Sequence, residues 1–262
     1  MKNLQNLLFS NEDGIATITL NRSESLNDMP LRVLKEINLV LGKCKDRDDL
    51  RVVILTGSGR AFSSGANVFD FQEAVAKNTI DSLMEEMVDE VNKLVIGIRE
   101  ILKPVLAMVN GIAFGIGFDL LQACDIVFAL KSAKFQVGFP RFGLIPDGGG
   151  TYFFPRNLPI QKANELIFAT EPITAQKAFD LGLVNMVCED YEDLKEKTRE
   201  MALKLAKGSM GAFAMTKKLI NEGLFHDLER HLMREKEVQV ARSLSPDFAK
   251  GLAAVTEKIA PR

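Results

Sequence analysis

Residues Val105–Thr151 read VLAMVNGIAFGIGFDLLQACDIVFALKSAKFQVGFPRFGLIPDGGGT, and the fold of the chain turns on this stretch. The short apolar run Val105–Val109 predicts a buried strand, with Pro104 fixing where it starts. Asn110 and Gly111 break the run, and Gly115 and Gly117 follow within one short loop. Glycine accepts positive φ and lets backbone approach a ligand closely, so such a loop can turn its N–H groups inward. From Gly117 the pattern FDLLQAC is helical, which sets those N–H groups at a helix N-terminus carrying partial positive charge. Asp119 stands in its first turn, and Asp147 follows in a second glycine-rich loop, Ile145–Thr151. Two carboxylates and two backbone-rich loops in one segment point to a site that polarises a carbonyl and moves a proton.

Working outward, Leu7–Ser10 and Ile15–Leu20 are β-type runs joined by Asn-Glu-Asp-Gly, a hairpin signal. Pro30 opens a helix that carries Leu31, Leu34, Ile37 and Leu41 at helical spacing to about Cys44. Arg51–Thr56 is a buried strand ending at Gly57. Val68–Leu102 is helical in pattern, with an interruption expected at Asn78-Thr79, and a further strand is expected at Ile126–Ala129. Strand and helix thus alternate over the first two-thirds, an α/β pattern. After Thr151 the segments 159–168, 174–181, 191–207 and 211–224, and one starting near His226, read as helices. Only Val184–Val187 is strand-like. A soft boundary falls near 200, giving a core at 1–200 and a helical C-terminal region at 201–262.

The chain has 262 residues, 47% hydrophobic and 26% charged, which is ordinary for a globular protein with a sizeable core. A net charge of -2 makes no electrostatic case for nucleic acid or an anionic membrane. Cys44, Cys124 and Cys188 are widely spaced and odd in number, which favours reduced thiols and a cytoplasmic setting over a disulfide framework. His226 and His231 leave little material for a metal site or a Ser–His triad, and they lie in a charged stretch expected to be solvated. The N-terminal apolar run is too short for a signal peptide, Ala260-Pro261-Arg262 carries no sorting signal, and no apolar run approaches membrane-spanning length. The glycines do not make GxGxxG, no P-loop is present, and Ser63 and Ser64 lack the GxSxG context.

Four segments in order carry a family resemblance: Arg60–Asn67 (RAFSSGAN), Asn110–Gly117 (NGIAFGIG), Cys124-Asp125-Ile126, and Pro146-Asp147-Gly148. Together they resemble the crotonase (enoyl-CoA hydratase/isomerase) superfamily along nearly the whole chain. The resemblance implies a spiral of strand–strand–helix turns with a helical C-terminal appendage, and assembly as a homotrimer or a dimer of trimers. It implies an acyl-CoA thioester as substrate, coenzyme A being part of that substrate, with no metal or redox cofactor. The N–H groups of Ala66 and Ile116 match the oxyanion hole, Ile116 standing where many relatives have glycine. Ser64 matches the lining of the adenine site, while Asn67, Gly115 and Gly117 are placed with the substrate pocket.

Asp147 matches the acid that serves as base in several isomerases of the superfamily, beside the bland alternative that Pro-Asp-Gly is ordinary turn chemistry. Asp119 matches one of two hydratase glutamates, beside the alternative of a first-turn acid stabilised by the helix dipole. The second hydratase glutamate falls on Phe139, which cannot exchange a proton. Hydration needs one group to activate water and another to protonate carbon, whereas a double-bond shift can use one carboxylate. The expected activity is therefore enoyl-CoA isomerisation through an enolate, with Asp147 the main proton carrier and Asp119 an accessory. Hydration by Asp119 with Asp147, and a catalytically silent acyl-CoA-binding module, remain as alternatives. Burial should raise the pKa of Asp147 while nearby helix N–H groups oppose it.

Overall fold

The computed structural model describes residues 4–259, so Met1–Asn3 and Ala260–Arg262, where the readings of the termini partly fall, lie outside the described residues. β1 (Leu7–Glu12) and β2 (Ile15–Leu20) form the expected antiparallel hairpin, turned at Asp13-Gly14 with both residues at positive φ. α1 (Leu31–Lys45) buries Val33, Leu34, Ile37, Val40, Leu41 and Cys44 on one face. Three turns of one pattern follow, each a strand, a shorter strand and helix. The first is β3 (Val52–Gly57), β4 (Ala61–Ser63), then α2 (Val68–Ala76) and α3 (Ile80–Glu100). The second is β5 (Val105–Val109), β6 (Ile112–Phe114) and α4 (Ile116–Ala123). The third is β7 (Ile126–Leu130), β8 (Lys134–Gln136), a 3-10 turn at Phe139–Phe142, and α5 (Gly150–Asn157). Then come α6 (Ile160–Ala169), β9 (Ile173–Thr174), α7 (Ala175–Asp180), β10 (Met186–Cys188), α8 (Tyr191–Ala206), α9 (Met210–Leu224), α10 (Leu228–Ser243) and α11 (Pro246–Ile259).

The larger sheet runs β1-β2-β3-β5-β7-β10 and is parallel from β2 onward. Its central strands are continuous apolar runs because both faces are covered. Val53, Leu55, Val105 and Ala107 face the main core, while Val52, Ile54, Leu106 and Met108 face a second cluster closed by Leu194, Ala202 and Ala206 of α8. The smaller sheet, β4-β6-β8-β9, has no counterpart in the sequence reading. Strands of two or three residues are too short to show an alternation. Two other readings shift: the strand expected at Val184–Val187 forms at Met186–Cys188, and α5 begins where only a loop was expected. The boundary expected near 200 falls inside α8, which covers one face of the larger sheet. Among the described residues no helix is long and apolar enough to cross a membrane. Cys44, Cys124 and Cys188 are buried and unbridged.

The two sheets nearly touch between β5 and β6. A Cβ on Gly111 would lie 2.0 Å from the Arg60 carbonyl oxygen and 2.6 Å from its carbon. These are backbone atoms of the turn before β4 and cannot swing aside. Gly111→Ala should therefore destabilise the fold by about 1–3 kcal/mol, measured as a lower denaturant midpoint. An unchanged midpoint would contradict this packing.

Candidate active site

The smaller sheet brings the two glycine loops together. β4 and β6 are parallel neighbours, Ala61 opposite Ile112 and Ser63 opposite Ala113, so their C-terminal ends open side by side. From β4 the chain enters Ser64-Gly65-Ala66, and from β6 it enters Gly115-Ile116. Gly65 has φ +90, and a Cβ there would meet the Phe114 carbonyl oxygen at 2.8 Å, so the loops can pack this closely only with glycine. The N–H groups of Ala66 and Ile116 find no acceptor among the described residues, and both residues line one cavity. Ile116 is the first residue of α4, a helix whose eight residues are all buried. Phe118 pins that helix between Phe135 and Phe154, at ring-centroid distances of 5.2 and 5.1 Å. The free N–H of Ile116 is thereby held in place by packing behind it.

The cavity has a volume of about 350 Å³. Its walls are mostly apolar, with Met29, Leu34, Phe71, Met84, Met87 and Val91 contributing, and Phe139 and Phe142 on another side. Ser64 and Gly115 line it as expected from the sequence, and the Ser64 hydroxyl donates to the Ser25 carbonyl at 3.3 Å. Phe139 sits close to the second loop, its ring edge 3.9 Å from where a Gly115 Cβ would be. Asp147 is the one carboxylate among the described lining residues.

Asp147 is 6% exposed and follows Pro146, while Gly148 and Gly149 take φ of +61 and +84 to turn the chain into α5. Its Oδ2 accepts a hydrogen bond from Gln239 Nε2 at 3.1 Å, and Oδ1 has no partner. Burial pushes its pKa up to about 7, the negative Glu235 nearby adds to this, and the Gln239 bond opposes it. The expected opposition from a neighbouring helix terminus is thus supplied largely by a side-chain amide.

Asp119 has a different place. It is fully buried, neither oxygen has a hydrogen-bond partner, and it is not among the cavity's lining residues. It lies behind the acid loop: a Cβ on Gly150 would come within 2.4 Å of its Oδ2. Burial holds its pKa well above the usual carboxylate range, with the charges of Asp147 and Glu235 adding. Asn67 and Gly117 also fall outside the lining. The Asn67 side chain caps α2, accepting from the N–H groups of Phe69 and Asp70, and donates to Asp28 at 2.6 Å. Gly117 packs on β4, its missing Cβ leaving room for Ser63 at 2.9 Å.

The C-terminal helices supply what the sequence reading missed. Gln239 and Val255 line the cavity. Glu235, 3% exposed, accepts from the N–H groups of Gly149 (2.8 Å) and Thr151 (3.0 Å) and from the Thr151 hydroxyl (2.5 Å). His231, expected to be solvated, is only partly exposed and its Nε2 lies 2.7 Å from the same hydroxyl. The signal was the spacing of Leu228, Leu232, Glu235, Gln239 and Ser243, one buried stripe of α10 in which polar residues continue an apolar start.

Ala66, Ile116 and the buried acid Asp147 thus line one largely apolar cavity. The sequence matches the enoyl-CoA hydratase/isomerase family over residues 10–262. It is 32% identical to the short-chain-enoyl-CoA hydratase of Clostridium acetobutylicum, over 96% of that protein and 97% of this chain. It is 29% identical to the trans-2-decenoyl-[acyl-carrier-protein] isomerase of Streptococcus mutans, over 97% of that protein and 98% of this chain. The crystal structure of an enoyl-CoA hydratase from Bacillus halodurans superposes with a TM-score of 0.90 at 27% identity, covering all of that chain and 95% of this one. The chain belongs to the enoyl-CoA hydratase/isomerase family, the crotonase superfamily, and is an acyl-CoA enzyme with the α/β spiral of that fold.

Proposed function

We propose that the protein is an enoyl-CoA isomerase that moves a double bond through an enolate. The observation that carries this reading is the single carboxylate, Asp147, in the described lining of a cavity that holds two unbonded backbone donors. In a 3-enoyl-CoA the thioester oxygen accepts from Ala66 and Ile116, and ionised Asp147 removes a proton from C2. The electrons of the broken C2–H bond shift onto the carbonyl oxygen as a dienolate. Asp147 then returns the proton to C4, leaving the double bond between C2 and C3. A carboxyl with a pKa of about 7 suits both halves, since it takes and releases a proton with little bias at neutral pH. Coenzyme A enters as part of the substrate, and the acyl tail lies against the apolar wall of Met29, Leu34, Phe71 and Met84.

Hydration is the second reading, favoured by the name of the Clostridium relative. It would need Asp119 beside Asp147, and Asp119 does not line the cavity. Phe139→Glu tests the division directly, because it places an acid at the lining position that matches the second hydratase glutamate. The variant should lose isomerisation by about tenfold as the apolar wall is charged, and any gain of hydration would appear on 2-enoyl-CoA. Unchanged rates for both reactions would show that Phe139 is not at the site. A catalytically silent binder is distinguished by deuterium exchange at C2 of a saturated acyl-CoA in heavy water: the enzyme exchanges that proton, and a binder does not. Assembly as a homotrimer or dimer of trimers fits the exposed apolar side of α9, formed by Met215, Leu219, Ile220 and Leu224.

A further inference from the structure

We infer that Gln239 is a positioning residue for the proton transfer: its side-chain amide decides which oxygen of Asp147 carries the proton. The inference rests on the reading of Asp147 as the proton carrier. Gln239 Oε1 accepts from the Ile145 N–H at 3.0 Å, while its Nε2 donates to Asp147 Oδ2 at 3.1 Å. A backbone N–H can only donate, so the oxygen end of the amide must face Ile145 and the NH₂ end must face Asp147. Turning the amide over would set donor against donor and oxygen against oxygen, losing both bonds. Oδ2 is therefore an acceptor in both protonation states, and the proton is carried on Oδ1, which has no partner.

The fixture is rigid. Gln239 is 1% exposed, lies in the cavity wall, and stands one helical turn from Glu235, which holds Gly149 and Thr151 on the other side of Asp147. One turn of α10 thus grips the acid loop both before and after its acid. A single basic oxygen matters for a double-bond shift, because the proton taken from one carbon returns to another without the carboxyl rotating. The titratable and charged groups around Asp147 come from several elements: Glu235 on α10 and Asp119 on α4, with Arg141 in the same cavity wall. His231 reaches Glu235 across Thr151. Burial and the negative Glu235 disfavour ionisation of Asp147, and Gln239 is the neutral donor that opposes them.

The test is the pH dependence of isomerisation in Gln239→Met, which has similar length and no donor. The midpoint of the rising limb of kcat should move to higher pH, and kcat at pH 7 should fall about tenfold with KM within about threefold. Gln239→Asn, one methylene too short to span both partners, should shift the midpoint in the same direction and serves if the Met variant does not fold. A parental midpoint in the folded variant, with Asp147→Asn inactive, would overturn the role of Gln239 and leave the isomerase reading standing. Normal turnover by Asp147→Asn would remove both.

Discussion

Asp147→Asn should bind acyl-CoA esters about as tightly as the parent protein, yet isomerise a 3-enoyl-CoA roughly a hundredfold to ten-thousandfold more slowly. The asparagine has nearly the same size and can still accept from Gln239, so the loop from Ile145 to Thr151 should keep its shape. What disappears is the base. Binding should survive because the thioester oxygen is held by backbone donors and the tail by apolar walls. In the parent, turnover should rise with pH through about 7, because only ionised Asp147 can take the first proton and burial holds it neutral below that range. Asp119→Asn is the matched comparison. Asp119 is buried and off the cavity, so its variant should keep most of the parental turnover and the same pH midpoint. A dead Asp119 variant beside a working Asp147 variant would reverse the assignment.

Ile116→Pro should lower kcat by about a hundredfold to a thousandfold, the usual consequence of removing one donor from an oxyanion hole. Backbone donors are ordinarily beyond the reach of mutagenesis, but here the position helps. Ile116 is the first residue of α4, where proline is tolerated because the N–H has no partner inside the helix. The preceding residue is glycine, which leaves the backbone room to accept the ring. Ile116→Ala keeps the N–H while trimming the side chain that presses on Gly148, so it separates lost packing from the lost donor. The proline variant should lose far more turnover than the alanine variant at similar thermal stability. Equal losses would place the Ile116 N–H outside the chemistry.

Much of this arrangement can be read in the sequence, and what cannot has a physical cause. Val105–Val109 and Arg51–Thr56 announce buried parallel strands because both faces of the sheet are covered, so apolar residues run without alternation. The glycine loops are legible because close backbone approach at Gly65 and a positive φ at Gly115 leave few other residues possible. The smaller sheet that sets those loops side by side is not legible, since three residues cannot establish a period of two. Asp147 stands out by its turn, but nothing local distinguishes it from an acid that merely caps that turn. Gln239 and Glu235 are hidden for the opposite reason. On a helix as charged as α10 such residues are ordinarily solvated, and they are buried here because the N–H groups they satisfy come from a loop more than 80 residues earlier. The motif fixes the position of Asp119 in the chain without fixing whether it reaches the cavity, and it lies outside the lining.

The most direct measurement supplies 3-enoyl-CoA and 2-enoyl-CoA separately to the protein and identifies the products by mass spectrometry. A double-bond shift by one carboxylate predicts interconversion of the two enoyl-CoA esters, with no gain of water in either reaction. Conversion of 2-enoyl-CoA to a 3-hydroxyacyl-CoA, with 3-enoyl-CoA left untouched, would contradict it.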